Sequence, residues 1–542
     1  MSQLSRTALF GLMATALTAA TPLFPRQANG TNTTLPNSFK DIPVTEELVY
    51  TPCIGTDLSC ANIQVPLDYD NPSAGTTNVA FLRWNTPNQP AKGDVLINPG
   101  GPGGSGVEYV ASQVTFLRSL IGESYNFVGM DPRGVNNSGP NLDCFDGSPA
   151  TRDYYDTLYY MEWDLSSPQN VAMSFERAGA FGEWCGKTLN ETAKYANTPA
   201  VAMDMLHYAE LLAESKGEAK EEAKVDYYGV SYGSILGTTF ATLFPDRIGH
   251  FVIDGVADGE DYYEGGWLEN LLQADEAVLE FFQHCFEAGS LCGFYSNDSS
   301  PDAIKQRFDA ILKDLEENPI IVSEPSVSPL PTIITRKHID SLVLLQVYNA
   351  NAGYPIIAAS FTALEQRNVS AILELYGDVS PVPLAECDKA SPDYSSVHPK
   401  LMIACNDQHG NYNISTPEEL LQYNEDQKNV SSYLGDIWTP VITPSCRQHA
   451  FVPPESQLFA GFKEVETNNP ILFTANRIDP VTSSRVKMSK FFPGSQMLVQ
   501  DAIGHGLQVA SSKCIYSYTQ KYFEDFSLPP ADTECKTETE PF

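Results

Sequence analysis

Short apolar runs alternate with helically spaced segments through the first half of this chain. The runs at 78–84, 94–97, 125–130, 225–228 and 250–254 are rich in Val, Ile, Phe and Tyr and read as strands. Between 203 and 222 the apolar positions, Met205, Leu212 and Ala213 among them, recur at helical spacing with charges elsewhere. The acidic stretch 218–222 at its end reads as a solvated face. Strands alternating with helices predict a parallel sheet covered on both faces. After Gly259 the pattern changes. From about 260 to 440 it is mostly helical, broken by Pro- and Ser-rich loops such as 323–331. The strand pattern returns at 471–475 and 496–500. The simplest account is one α/β unit interrupted by a helical insertion, with no internal repeats.

Composition narrows the partners. With 42% hydrophobic and 11% aromatic residues, the 542-residue chain has the make-up of a packed globular protein. Its net charge of −35, from 68 acidic against 33 basic residues, repels nucleic acid and anionic membrane surfaces, so neither is expected as a partner. Oligomeric state is not legible. The first 20 residues read as a secretory signal. Arg6 is followed by an apolar core at 8–17, too short to span a bilayer, and by small residues at 18–20. Residues 21–40 read as a flexible leader and 529–542 as an acidic tail. A secreted, extracellular protein is therefore expected. Eight N-x-Ser/Thr acceptors agree with export: Asn29, Asn32, Asn136, Asn190, Asn297, Asn368, Asn413 and Asn429. Eleven cysteines in an exported chain predict disulfides with at least one thiol left over. Cys53–Cys60 and Cys285–Cys292 make the easiest loops. Cys144–Cys185, Cys405–Cys446 and Cys514–Cys535 are the next pairs, leaving Cys387, although spacing alone leaves the connectivity open. No C-x-x-C or H-E-x-x-H spacing occurs, so no metal site and no cofactor are expected.

The candidate chemistry centres on Gly229-Val230-Ser231-Tyr232-Gly233. It follows one predicted strand and precedes a predicted helix at 234–241. A tight strand-to-helix turn of this kind pushes a serine hydroxyl out where base and substrate both reach it. Serine needs a base to take its proton, and the base needs an orienting acid. Among eight histidines, His505 in Gly504-His505-Gly506 lies just past the last predicted strand. Asp479 follows the strand at 471–475 and is the acid of choice. Asp254, after the strand following the serine turn, is its rival, and Asp501 is too close in sequence to His505. The run 98–106, Asn-Pro-Gly-Gly-Pro-Gly-Gly-Ser-Gly, exposes backbone N–H groups next to a strand end. With the N–H of Tyr232, that of Gly101 is expected to hold a developing oxyanion, Gly100 being the near alternative. Asp131 and Arg133 are expected to pair and brace this region.

These segments together resemble the proline-iminopeptidase and tripeptidyl-aminopeptidase branch of the α/β-hydrolases. The likeness rests on 98–106, 129–134, 229–233, Asp479-Pro480-Val481-Thr482 and 504–506, and it spans about 50 to 525. It implies an α/β-hydrolase fold, a mostly parallel sheet with helices on both faces and an inserted, mainly helical cap. The core would then run over 41–258 and 446–528, with the cap at 259–445. It further implies a Ser-Asp-His enzyme that releases short peptides or residues from free N-termini. Carboxylates at the cap entrance would hold the substrate ammonium, for which Asp258, Glu260, Asp261 and Glu264 are candidates. Pro99 stands where iminopeptidases carry histidine, which favours the tripeptidyl side. Two other readings use the same segments: a carboxylesterase or lactone hydrolase of small metabolites, and a catalytically silent binding protein. The expected partner is thus a peptide or small ester substrate.

Overall fold

The computed structural model describes residues 39–53, 57–161, 163–326, 331–376, 394–411 and 414–542. Eleven strands form one sheet: β1 (Val44–Thr45), β2 (Thr51–Pro52), β3 (Leu58–Pro66), β4 (Thr76–Trp84), β5 (Asp94–Asn98), β6 (Asn126–Asp131), β7 (Val225–Val230), β8 (Ile248–Asp254), β11 (Ile471–Ile478), β12 (Gln496–Ile503) and β13 (Thr533–Lys536). β9 (Ile320–Val322) and β10 (Thr332–Ile334) make a separate antiparallel pair. The order across the large sheet is β1-β3-β4-β6-β5-β7-β8-β11-β12-β13, with β2 paired to β3. From β6 to β13 every pairing is parallel, and β4 runs antiparallel to both β3 and β6.

The central strands β5, β6 and β8 are buried at every position. Helices cover both faces, so the middle positions of these strands are mostly apolar, with Asp94, Asn98, Asn126, Asp131 and Asp254 at their ends. Gly106–Ile121 and Lys513–Asp525 pack with Tyr109, Leu117, Ile515 and Phe523 on one face. Thr198–Ser215 and Tyr232–Leu243 supply Met205, Tyr208, Leu236 and Phe240 to the other.

Several expectations change on folding. The helix expected over 203–222 is Thr198–Ser215. Asn197 caps its start, with Pro199 in the first turn, and Gly217 at φ +74° follows its end, leaving Lys220–Glu222 as a separate short turn. The residues expected as an acidic tail include an edge strand. β13 pairs with β12, and Cys535 is tied to Cys514. The expected first core segment, 41–258, also leaves the sheet: helices Pro149–Met161 and Pro168–Thr188 lie between β6 and β7. Phe175, Phe181 and Cys185 share one buried cluster with Ile403, Trp438 and Cys446 of the later insertion, so the two excursions pack together. Disulfides close all five predicted loops: Cys53–Cys60, Cys144–Cys185, Cys285–Cys292, Cys405–Cys446 and Cys514–Cys535. Cys387, Asn29, Asn32, Asn413 and the signal segment lie outside the described residues.

Candidate active site

Ser231 sits between β7 and the helix Tyr232–Leu243 at φ 62°, ψ −126°. A left-handed backbone on a residue other than glycine costs about 1–3 kcal/mol and persists only where its surroundings hold it. They do so here. The Ser231 N–H donates to the Asp254 carbonyl at 3.1 Å, and Ser234 donates through both N–H and Oγ to the Ser231 carbonyl. A Cβ on Gly233 would lie 2.6 Å from the Asn98 carbonyl oxygen. Glycine there lets the turn close onto the end of β5.

His505 is 2% exposed and Asp479 fully buried. His505 Nδ1 lies 3.0 and 3.1 Å from the two Asp479 carboxylate oxygens. Asp479 is fixed in turn by the N–H groups of Val481 and Thr482 and by Thr482 Oγ1, at 2.9–3.0 Å. Burial alone would lower the histidine pKa. The Asp479 charge and hydrogen bond, with the Asp254 charge, outweigh it and raise the pKa above the ordinary value. Nε2, the other ring nitrogen, is buried and has no hydrogen-bond partner among the described residues. The ring lies beside the serine turn, since a Cβ on Gly255, next to Asp254, would sit 3.2 Å from its Cε1.

Asp254, the rival acid, braces the histidine loop from below. Its carboxylate accepts the Leu507 N–H at 2.9 Å, Tyr228 Oη at 2.8 Å and Thr474 Oγ1 at 3.0 Å. Burial pushes its pKa up to about 6 despite these donors. Asp501, on the solvent side, pairs with Arg477 at 2.8 Å. Sequence reasoning missed Tyr348. The His505 N–H donates to its carbonyl at 2.8 Å, and its ring meets the imidazole edge-on at 5.4 Å. No local pattern marks it, because it comes from the cap.

The glycine loop lies against the serine. A Cβ on Gly100 would fall 2.7 Å from Ser231 Cβ and 3.0 Å from the Tyr232 nitrogen, so only glycine permits this approach. The Gly100 N–H is taken by Asn98 Oδ1 at 2.9 Å. Tyr232 opens its helix, and the first N–H groups of a helix lack internal acceptors. The expected Asp131–Arg133 pair does not form. Asp131 instead anchors the loop, accepting Ser105 Oγ at 2.6 Å, the Val107 N–H at 3.1 Å and Asn137 Nδ2 at 2.8 Å. Arg133 turns the other way, to Asp204 at 2.7 Å.

The four cap-entrance acids are mostly committed elsewhere. Asp258 caps the helix Gly259–Tyr263 and meets Lys487 at 2.6 Å. Glu260 lies 3.2 Å from the same lysine. Asp261 accepts the N–H groups of Leu268 and Glu269 at 2.7 and 3.0 Å, with burial raising its pKa to about 6. Glu264 is exposed. Of the glycosylation candidates, Asn190, Asn297, Asn368 and Asn429 are exposed. The Asn136 amide is half-buried and donates to Ser105 Oγ and Glu108 Oε1, so a glycan there would disrupt the loop anchor.

The strand order and the strained strand-to-helix serine turn are those of an α/β hydrolase, and residues 94–292 match the family model described as alpha/beta hydrolase fold. More narrowly, residues 437–535 match the model described as TAP-like protein, and the two matches together support a TAP-like α/β hydrolase. It is 31% identical over 206 residues to the tripeptidyl aminopeptidase of Streptomyces lividans, covering 37% of this chain and 36% of that protein. It is 26% identical over 207 residues to serine protease Hip1 of Mycobacterium tuberculosis, again 37% and 36%. A shorter stretch of 86 residues is 41% identical to carboxylesterase B of Mycobacterium tuberculosis, 16% of each chain. The match therefore spans little more than a third of the aminopeptidase's length.

Proposed function

We propose that this chain is a secreted serine exopeptidase acting on free N-termini. Ser231 attacks the scissile carbonyl, His505 takes the serine proton through Nε2, and Asp479 orients and stabilises the imidazolium that forms. The N–H groups of Tyr232 and Gly101 hold the oxyanion, Gly100 having spent its own on Asn98. The protonated His505 then donates to the leaving amine, and water releases the acyl group from Ser231 by the same steps in reverse. The observation that carries this reading is a buried histidine held by Asp479 at 3.0 Å, with its other nitrogen unpartnered, beside a serine held at φ 62°. Export is supported by the N-terminal apolar segment and the five disulfides. Among the described residues no helix is long and apolar enough to cross a membrane.

Peptides are preferred over esters because the relatives matched over the longer stretch are named as an aminopeptidase and a protease. The shorter match, to a carboxylesterase, keeps ester hydrolysis as the second reading. A substrate panel separates them. Paired peptides with free and acetylated N-termini are expected to differ in kcat/KM by about tenfold to a hundredfold, the worth of one charge-assisted hydrogen bond to the ammonium. Equal rates on both would remove the exopeptidase assignment. Fast ester turnover with no peptide cleavage would establish the second reading instead. The arrangement of Asp258 and Glu260 around Lys487 speaks against either as the ammonium anchor.

A further inference from the structure

The glycine loop is a single layer between the serine turn and a cap helix. Gly100 touches Ser231 on one side. On the other, a Cβ on Gly103 would lie 2.7 Å from the Ser396 carbonyl oxygen and 3.1 Å from the Lys400 nitrogen. Tyr394 Oη also donates to the Gly103 carbonyl. The helix Val397–Asp407 thus rests directly on the loop that faces Ser231.

This helix and the helix Pro149–Met161 bury polar groups that have no hydrogen-bond partner among the described residues. Lys400 is 3% exposed, yet its ammonium makes no hydrogen bond or ion pair among the described residues. Its nearest aromatic contact, the Tyr160 ring, is 6.0 Å away, at the outer limit of a cation–π interaction. Asp156, the carboxylate with most influence on it, is hydrogen-bonded to His398 at 3.0 Å. Tyr160 Oη and Ser396 Oγ are likewise buried without hydrogen-bond partners among the described residues. Ser396 and Lys400 are four residues apart, so they share one side of the helix. A buried ammonium without a partner is unfavourable unless something compensates it. Burial accordingly lowers the Lys400 pKa to about 8.

We propose that Lys400, Tyr160 and Ser396 form a substrate subsite that binds a carboxylate. One ammonium and two hydroxyls supply donors for two carboxylate oxygens. A single negative charge neutralises the site. A phosphate dianion would leave surplus negative charge buried in a protein already at −35. The carboxylate comes either from the substrate C-terminus or from an acidic side chain. The inference rests on the hydrolase reading above, because the ligand is part of the molecule being cleaved.

The test compares kcat/KM on a short peptide acid and its C-terminal amide, and on peptides carrying Glu or Gln at one position. A matched pair of p-nitrophenyl esters, with and without a terminal carboxylate, completes the panel. The wild-type protein is expected to favour one carboxylate member by about tenfold or more, and the favoured pair identifies the source. Lys400→Met is expected to bring that ratio close to one, and Tyr160→Phe to reduce it in part. Lys400→Met should also melt at or above the wild-type temperature, since it removes an uncompensated buried charge. A wild-type ratio near one in every pair, or an unchanged ratio in Lys400→Met, would overturn the subsite. So would a Lys400→Met protein that melts well below wild type, which would make Lys400 a structural partner. If no peptide is cleaved but the ester ratio collapses in Lys400→Met, the subsite stands and the exopeptidase reading falls.

Discussion

At the residue scale, the proposed reaction depends on three side chains with unequal structural duties. Ser231 contributes backbone geometry to the fold, while its hydroxyl has no hydrogen-bond partner among the described residues. Ser231→Ala is therefore expected to abolish turnover and labelling by a fluorophosphonate while changing stability by less than about 1 kcal/mol. Residual turnover at the wild-type rate would exclude Ser231 as nucleophile. His505 works as a base only when neutral. Its pKa is raised, so the acid limb of kcat/KM should lie above the ordinary histidine value of about 6.5, with activity lost as pH falls through it. Asp479→Asn removes the charge that raises it. The limb should then move to lower pH, and kcat should fall on the order of 10⁴-fold. A limb that stays in place would separate Asp479 from His505. The sequence singled out Ser231, Asp479 and His505 because each follows a strand in a recognisable short motif, and the structure sets Asp479 against His505. Tyr348 was not legible, because its contact with His505 exists only once the cap closes over the loop.

At the element scale, the two ends of the Asp131–Arg133 segment do different work. Proximity in sequence suggested that they pair, but the turn after β6 sends their side chains apart. Asp131 holds the glycine loop through Ser105. Arg133 is fully buried and ties together three segments: Asp204 of the helix Thr198–Ser215 at 2.7 Å, the Pro66 and Leu67 carbonyls at 2.8 and 2.6 Å, and the Tyr195 carbonyl at 3.3 Å. Arg133→Met would strand the Asp204 carboxylate in the interior, at a cost of about 3–5 kcal/mol. Adding Asp204→Leu should restore part of that loss, because the stranded charge goes with it. Denaturant midpoints of the two variants measure both. A single variant as stable as wild type would show that the pair carries no such weight. Lysine in place of Arg133 should not suffice, since it cannot reach the same spread of acceptors.

At the scale of the whole molecule, charge sets the response to pH. Asp340 and Asp407 are both pushed up to about 7 by burial, and His398 is raised to about 9 because the Asp156 and Asp143 carboxylates outweigh its burial. Each folded pKa lies above its unfolded value, so each contributes stability at low pH that is lost as pH rises. His338 and His449, lowered to about 4 by burial, act the other way, but only below about pH 6.5. Lys337 and Lys400, at about 8, oppose the trend only above pH 8. Between pH 6.5 and 8 the melting temperature should therefore fall. The net charge of −35 pushes in the same direction through self-repulsion. Thermal scans across that interval decide it, and a melting temperature that rises with pH would contradict the assignment.

The sequence by itself indicated the alternation of strands and helices, singled out Ser231, Asp479 and His505 in that order, and offered five cysteine pairings that the structure then closed. These are local signals: apolar periodicity, glycine-bounded turns and cysteine spacing. What only the tertiary structure decided are contacts between distant segments. The first excursion, 149–188, packs with the later helical segment because its apolar residues share one buried cluster with it. The cap-entrance acids were drawn to Lys487 and to backbone N–H groups. Thr533–Lys536 became a strand because β12 offered an open edge, and a strand template is not written in the residues that fill it. Nothing in the sequence singles out Lys400. Its burial over the glycine loop comes from how the helix Val397–Asp407 docks, because a charge is exposed or desolvated according to what packs around it.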